Sequence, residues 1–308
     1  MKKKLISVKL QRIISLILVV ILVGIVIHEG HSLLDAVKKT KPGWAGAGLI
    51  CYYVNYFLRA MRFRFVSDGQ IQLWPNAIHS ACVHGIATYI FPFRSGELTL
   101  PVILKSVSGI PLLEGGRILL KARVLDIFTL GLFMLIASIV STAPISDTLR
   151  ISWGGIGLIL CIMPGFLNML WKIGKYASSR ISPYAETFGN MKLRIGELIL
   201  TMGIWTAIAL CLFFAARSVG VPIGIDGIWF LISIQLPMQL IPLQGIANAG
   251  NHEAGWVAGL AILGIPASES LTFAITSHAL LLLYVLALGL PAWISRKKTV
   301  FEKNTQHH

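Results

Sequence analysis

A series of long apolar runs, separated by short basic segments, is the feature that most constrains this chain. A helix that crosses the hydrocarbon core of a bilayer needs about 20 mostly apolar residues. Because lipid offers the backbone no hydrogen-bond partner, spanning segments are helices or closed barrels. The runs lack the alternating pattern of barrel strands, so we predict an all-α, polytopic membrane protein. The six predicted spans are residues 12–28, 43–58, 119–143, 151–171, 196–217 and 270–294.

The composition excludes several other classes of protein. Charged residues make up 13% of the 308 residues, about half the share found in soluble domains. A soluble enzyme or a disordered chain is therefore not expected. The four cysteines all lie inside apolar runs and far apart, which does not indicate a disulfide framework or a metal site. They are Cys51, Cys82, Cys161 and Cys211.

Two further apolar regions, 71–108 and 226–266, are interrupted by proline, glycine and charged residues. Each is long enough for two short helical legs with a break between them. Broken segments at membrane depth occur only where they are buried in protein or line a cavity. We therefore expect two broken re-entrant hairpins in addition to the six full spans.

The lysines and arginines are unevenly divided between the two sides of this topology. Twenty-one lie in the segments assigned to the cytoplasm, five lie outside, and Arg94 lies within the membrane. By the positive-inside rule, both termini are cytoplasmic and the protein sits in the cytoplasmic (inner) membrane. The net charge of +14 then reflects contact with anionic lipid headgroups, and no nucleic-acid partner is expected.

The two hairpins enter from opposite sides, so the unit of helix, broken hairpin and helix occurs twice in opposite orientations. Matched broken segments in two inverted halves point to a transporter site near the midplane. We expect one transmembrane domain over 1–308, a first repeat at 43–143 (hairpin 71–108), a second, inverted repeat at 196–294 (hairpin 226–266), and a tail or tag remnant at 304–308.

The first hairpin turns at residues 90–97, where Pro92 removes a backbone donor and Gly96 permits a tight turn. An arginine in an apolar region is costly and usually functional. Arg94 is therefore a candidate ligand for a phosphate or another anionic headgroup. Glu97 lies three residues further on, and the alternative is an internal Arg94–Glu97 ion pair that only fixes the hairpin.

The second hairpin turns at residues 241–253 and also places a glutamate at the start of the next leg. Its polar groups are either headgroup ligands or partners for the freed backbone of a broken helix. Two of them are titratable, so proton coupling is a further option. The candidate residues are Gln244, Asn248, Asn251, His252 and Glu253.

Two more charged pairs are candidates for the site. Arg59 and Arg62 share one helix face at a spacing of three residues, either as headgroup ligands or as a positive-inside anchor at the cytoplasmic rim. Arg123 and Asp126 have the same spacing near the start of a predicted span, either as a structural ion pair or as part of the site floor.

The other histidines and the known chemical motifs give no further site. His79, His84 and His278 each stand alone in apolar segments and are expected to be packing residues. The sequence has no nucleophile elbow, nucleotide-binding loop or zinc motif. We expect no catalytic residue, metal or cofactor.

Four motifs, at 56–64, 92–97, 123–126 and 242–253, occur in this order. Together they resemble the lysylphosphatidylglycerol synthase transmembrane-region family over about residues 10–295. The resemblance implies a flippase-like fold that moves lipids between leaflets. Bifunctional members pass aminoacylated phosphatidylglycerol outward, and stand-alone members are associated with isoprenoid-linked glycolipid, glycosyltransferase and hopanoid pathways. By position, the family's motif residues match Arg94, Glu97, Arg123, Asp126 and Glu253.

Two departures from the family narrow what the resemblance implies. We expect no soluble aminoacyl-transfer domain in this chain, and therefore no synthase activity. The second turn is less glycine-rich than the family pattern, which leaves the identity of the lipid open.

We expect a lipid transporter for an anionic lipid, an isoprenoid-phosphate-linked (glyco)lipid or an aminoacylated phospholipid. One alternative is an accessory subunit of a glycosyltransferase or lipid-synthesis enzyme. Another is a membrane enzyme that uses Glu97, His252 and Glu253 as acid–base groups. The expected partners are membrane lipids and, under the first alternative, such an enzyme. The glycine-rich helices would also permit a homodimer.

Overall fold

The computed structural model describes residues 38, 40–141, 145–177, 193–221, 223–240 and 245–305. In this part of the chain the regular structure is entirely helical. In chain order the helices are α1 (Pro42–Val66), α2 (Trp74–Ile90), α3 (Thr99–Ser108), α4 (Leu112–Val140), α5 (Asp147–Ala177), α6 (Ile195–Ser218), α7 (Ile225–Leu240), α8 (Asn251–Ile262) and α9 (Ala267–Thr305), with short 3-10 turns at Pro92–Leu98 and Ile246–Asn248.

Four of the described helices are long and apolar enough to cross a membrane, and each contains most or all of a predicted span. They are Leu112–Val140, Asp147–Phe166, Ile195–Ser218 and Ala267–Ser295. The predicted span 43–58 lies within α1, a 25-residue helix that is not among these four. The predicted span 12–28 lies outside the described residues. The fold class is thus confirmed as all-helical, while the full count of six spans stays a prediction.

The first predicted hairpin forms two helices, α2 and α3, joined by the turn Pro92–Leu98, which we call the first turn. Helix α2 stops before Pro92, and Phe91 has the extended backbone that a residue preceding proline adopts (φ −75°, ψ 132°). Helix α3 ends at Gly109, whose left-handed φ of +70° forms a common helix stop.

The second predicted hairpin also forms two helices, α7 and α8, with the turn Ile246–Asn248 between them, which we call the second turn. The break therefore lies where the proline and glycine pattern predicts it. Residues 241–244, which include Gln244 and Pro242, lie outside the described residues. Whether each hairpin returns to its own side of a membrane stays a prediction, as does the opposite orientation of the two repeats.

Helices of the two predicted repeats pack against each other. The first helices of the repeats, α1 and α6, pack along each other, and α2 packs against α9 of the other repeat. One apolar core is formed mainly by α1, α2, α3 and α4, and a second mainly by α4, α6, α7, α8 and α9. Helix α4 contributes to both cores and so connects the two repeats.

Helix α5 lies largely exposed, as a lipid-facing helix does, and packs against α4 at a pair of glycines. A Cβ atom at Gly157 would lie 2.8 Å from the carbonyl oxygen of Gly131, and one at Gly131 would lie 2.7 Å from the carbonyl oxygen of Gly157. Membrane helices use small residues in this way to bring backbones together.

We expect Gly157→Val to lower the free energy of unfolding by about 1–3 kcal/mol, because the added side chain forces α5 away from α4. Gly155→Val is the matched control, since Gly155 lies on the same helix and a Cβ there meets no described atom within 4 Å. Thermal unfolding in detergent measures both variants. Equal melting temperatures for the two variants would contradict the close contact.

Candidate functional site

The two turns share an unusual backbone. Each contains two consecutive non-glycine residues with left-handed φ: Phe93 (56°) and Arg94 (53°) in the first turn, and Ala247 (54°) and Asn248 (65°) in the second. Such residues cost on the order of 1–3 kcal/mol each and persist only where surrounding structure holds them. The two turns contact each other, so the strained segments of the two broken regions lie side by side.

Close packing holds the first turn against the end of α2. A Cβ atom at Gly96 would overlap the backbone carbonyl of Ala87. Only glycine allows this approach, which brings Arg94 and Glu97 back toward the helices behind the turn.

Arg94 and Glu97 form an ion pair within the first turn, with only 17% and 16% of their side chains exposed. Glu97 also lies 3.0 Å from Nε of Arg123 on α4. Arg123 in turn donates to Oδ2 of Asp126 at 2.8 Å. The local pairs expected from spacing are therefore both formed, and Arg123 joins them into one cluster.

Asp126 is also the partner of Arg62, whose Nη1 lies 2.6 Å from Oδ1. Arg62 is 1% exposed, so its guanidinium group is buried between helices rather than open at the protein surface. The same carboxylate oxygen accepts a hydrogen bond of 3.1 Å from Nε1 of Trp205 on α6. Nη1 of Arg62 lies 3.4 Å from the hydroxyl of Thr201, also on α6.

Arg59 adds a fourth guanidinium group, since it acts electrostatically on Asp126 together with Arg62 and Arg123. Its Nε donates to Oδ1 of Asn55 at 2.9 Å, one turn earlier on α1. Among the described residues, three of these arginines contact the two carboxylates, Glu97 and Asp126, and Arg59 lies near them, so positive charges exceed negative ones by two. We call these six residues the arginine cluster.

His84 on α2 lies beside the arginine cluster and interacts electrostatically with all four of its arginines. It is 2% exposed, and its Nδ1 atom has no hydrogen-bond partner among the described residues. Excess buried positive charge with an unsatisfied polar neighbour is costly in a low-dielectric interior unless an anion compensates it. The positive charge of this cluster is therefore complementary to the charge of an anion.

The second turn carries a different arrangement. Glu253, at the start of α8, makes a very short contact through Oε1 with Nδ1 of His278 on α9. Nε2 of His278 lies 2.7 Å from the backbone carbonyl of Ala247. The other carboxylate oxygen of Glu253 accepts from the backbone N–H of Gly250 at 2.8 Å. The side chains of Glu253 and His278 are each 9% exposed.

The remaining described candidates of the second turn have different surroundings. Asn251 donates to the carbonyl of Met238 at 3.1 Å, which ties α8 to the end of α7. Nε2 of His252 lies 3.1 Å from the hydroxyl of Ser277. Asn248 is 7% exposed, and its Oδ1 atom is without a hydrogen-bond partner in the described part of the chain.

Sequence reasoning missed several partners in these clusters. His84 and His278 were expected to be packing residues, but one adjoins the arginine cluster and the other pairs with Glu253. Lys121 and Glu197 form a further buried ion pair of 2.6 Å, with 3% and 0% of their side chains exposed. These partners lie in separate helices, and no local spacing in the sequence signals them.

These features define a helical integral membrane protein whose buried charges are gathered around two broken helical regions. A family model described as the lysylphosphatidylglycerol synthase TM region matches residues 12–289. The chain therefore belongs to this family, as the four ordered motifs predict. No curated protein matches the chain significantly.

The Lys121–Glu197 pair allows the energetic cost of an unpaired buried charge to be measured away from the arginine cluster. We expect Lys121→Met to lower the free energy of unfolding by about 3–5 kcal/mol, because it leaves the Glu197 carboxylate buried without its cation. The double variant Lys121→Met/Glu197→Gln should regain most of this loss. The neutral amide removes the buried charge and still accepts from the backbone N–H of Arg194, as the carboxylate does at 3.1 Å.

Denaturant or thermal unfolding in detergent measures both variants against the unchanged protein. A double variant no more stable than Lys121→Met would show that the pair's charge is not what stabilises this contact.

Proposed function

We propose that this protein moves an anionic lipid between the leaflets of the cytoplasmic membrane, with both termini on the cytoplasmic side. The observation that carries the proposal is the excess positive charge of the arginine cluster. A phosphate group would neutralise that excess and accept hydrogen bonds from the guanidinium groups in a bidentate manner. Membership of the family supports a role at lipids.

The charge balance also favours one class of cargo. A phosphodiester or an isoprenoid phosphate brings the negative charge that the arginine cluster lacks. An aminoacylated headgroup brings ammonium groups, which four nearby guanidinium groups would repel. The favoured cargo is therefore a lipid whose headgroup carries a net negative charge, with its tails remaining in the surrounding bilayer.

The two repeats offer a means of alternating access. The first turn carries Arg94 and Glu97, and the remaining arginines of the cluster lie on α1 and α4. The arginine cluster thus lies in the first repeat, and rocking of the second repeat against it would change the side from which the headgroup is reached.

We expect Arg94→Gln to reduce lipid movement and lipid retention by at least about tenfold, because an ionic hydrogen bond contributes about 1.5–3 kcal/mol. Arg117→Gln is the matched control. Arg117 also pairs with a glutamate three residues away, Glu114, at 2.6 Å, but it lies outside the arginine cluster. The control should move lipid at the unchanged rate.

The assay uses the purified protein in phosphatidylcholine vesicles that contain fluorescent phosphatidylglycerol, an isoprenoid phosphate or zwitterionic phosphatidylethanolamine. Leaflet exposure of the two fluorescent phospholipids is followed by chemical quenching, and retained lipids, including the isoprenoid phosphate, are identified by native mass spectrometry. Equal movement of anionic and zwitterionic probes, or full activity of a well-folded Arg94→Gln protein, would refute the proposal. A co-purifying enzyme with no lipid movement would favour the accessory-subunit alternative.

A further inference from the structure

The two turns hold their carboxylates in different ways. In the first turn the carboxylate of Glu97 faces the guanidinium groups of Arg94 and Arg123, and guanidinium groups keep their protons at any physiological pH. In the second turn the carboxylate of Glu253 faces an imidazole, which exchanges its proton near neutral pH. The second turn therefore has a chemical property that the first turn lacks.

The contacts of His278 fix where its protons lie. Nε2 faces the carbonyl oxygen of Ala247, which only accepts, so this nitrogen carries a hydrogen. Nδ1 faces Oε1 of Glu253 within hydrogen-bonding distance. Two lone pairs that face each other repel, so a hydrogen bond between these two atoms requires one proton between them. It is bound either as imidazolium against carboxylate or as carboxylic acid against neutral imidazole.

Losing this proton would act directly on the backbone of the second turn. Without it, the lone pairs of Nδ1 and Oε1 repel each other. The other contacts of the pair reach the carbonyl of Ala247, which has left-handed φ, and the N–H of Gly250. Separation of Glu253 from His278 therefore loosens backbone atoms on both sides of the strained turn, and the second turn contacts the first.

A small cavity gives this region space for water. It has a volume of about 50 Å³ and is lined in part by Tyr52, Gln235, His252 and Trp256. One water needs roughly 10–15 Å³ and two or more polar partners. Oε1 of Gln235 and Nε1 of Trp256 are buried and lack partners among the described residues. The ring of His252 lies 4.9 Å from that of His278, so this cavity lies close to the Glu253–His278 pair.

We propose that Glu253 and His278 together bind one proton, and that uptake and release of this proton change the conformation of the second turn. Lipid movement is thereby coupled to proton movement. This inference rests on the proposed function for its transport step. Proton uptake forms one N–H or O–H bond within the pair, and release returns that proton to water. The titratable side chains that act on Glu253 are His252 on its own helix, His278 on α9 and Tyr89 on α2.

The decisive variant is Glu253→Gln. Its amide N–H can donate to Nδ1 of His278 while its carbonyl still accepts from Gly250, so the contacts survive without an exchangeable proton. Glu269→Gln is the matched control, because Glu269 is an exposed carboxylate on α9. Both variants are compared with the unchanged protein in phosphatidylcholine vesicles containing fluorescent phosphatidylglycerol, with a pH gradient imposed in either direction.

For one proton carried per lipid, a difference of one pH unit should shift the leaflet distribution of the lipid by up to about tenfold in the unchanged protein. Glu269→Gln should respond equally. Glu253→Gln should retain bound phosphatidylglycerol and lose the response. If lipid movement by the unchanged protein does not depend on the pH gradient, the proposed coupling is overturned and the proposed function is left intact.

A second measurement does not depend on transport. The rate of backbone amide hydrogen exchange in the second turn is measured at increasing pH. The increase in this rate in the unchanged protein is compared with the increase in Glu253→Gln. Deprotonation of the pair should open the turn, so the unchanged protein should show the larger increase. Equal increases would overturn the proton-binding role, even if the vesicles show no lipid movement and the proposed function fails.

Discussion

The constraint on which the rest of this structure depends is that charge buried in an apolar protein needs compensation. Asp126 meets it by facing Arg62, Arg123 and the indole N–H of Trp205 at once. These contacts join α1, α4 and α6, and Arg123 extends them to the first turn through Glu97. Guanidinium groups outnumber carboxylates among the described residues of this cluster, and this excess is what the proposed anionic headgroup would compensate.

The two turns show how a repeated backbone acquires two kinds of chemistry. Both place a pair of left-handed, non-glycine residues between helical legs, and both are held by contacts with surrounding helices. The first turn carries an arginine–glutamate ion pair. The second is held by contacts between a glutamate and a histidine. These two arrangements underlie the proposed headgroup-binding role of the first turn and the proposed proton-binding role of the second.

Local pattern was sufficient to predict part of the site. The spacing of three residues correctly paired Arg94 with Glu97, and Arg123 with Asp126, because such residues are neighbours on any helix or tight turn. It did not predict the Arg62–Asp126 contact, which joins residues 64 positions apart, or the partner of Glu253 on α9. It also left open whether Arg62 binds a headgroup or anchors a membrane rim, since a sequence does not show which face of a helix a second helix covers.

The sequence by itself determined the all-helical membrane class and the two broken regions, because hydropathy, proline and glycine act over a few residues. It also determined an excess of positive charge that some part of the protein must accommodate. Only the tertiary structure decided where that charge gathers and which histidine meets which carboxylate. The physical reason is that ion pairs between helices depend on packing and on the approach of backbones, as at Gly96 and Ala87, and these contacts join parts of the chain whose separation leaves no local pattern.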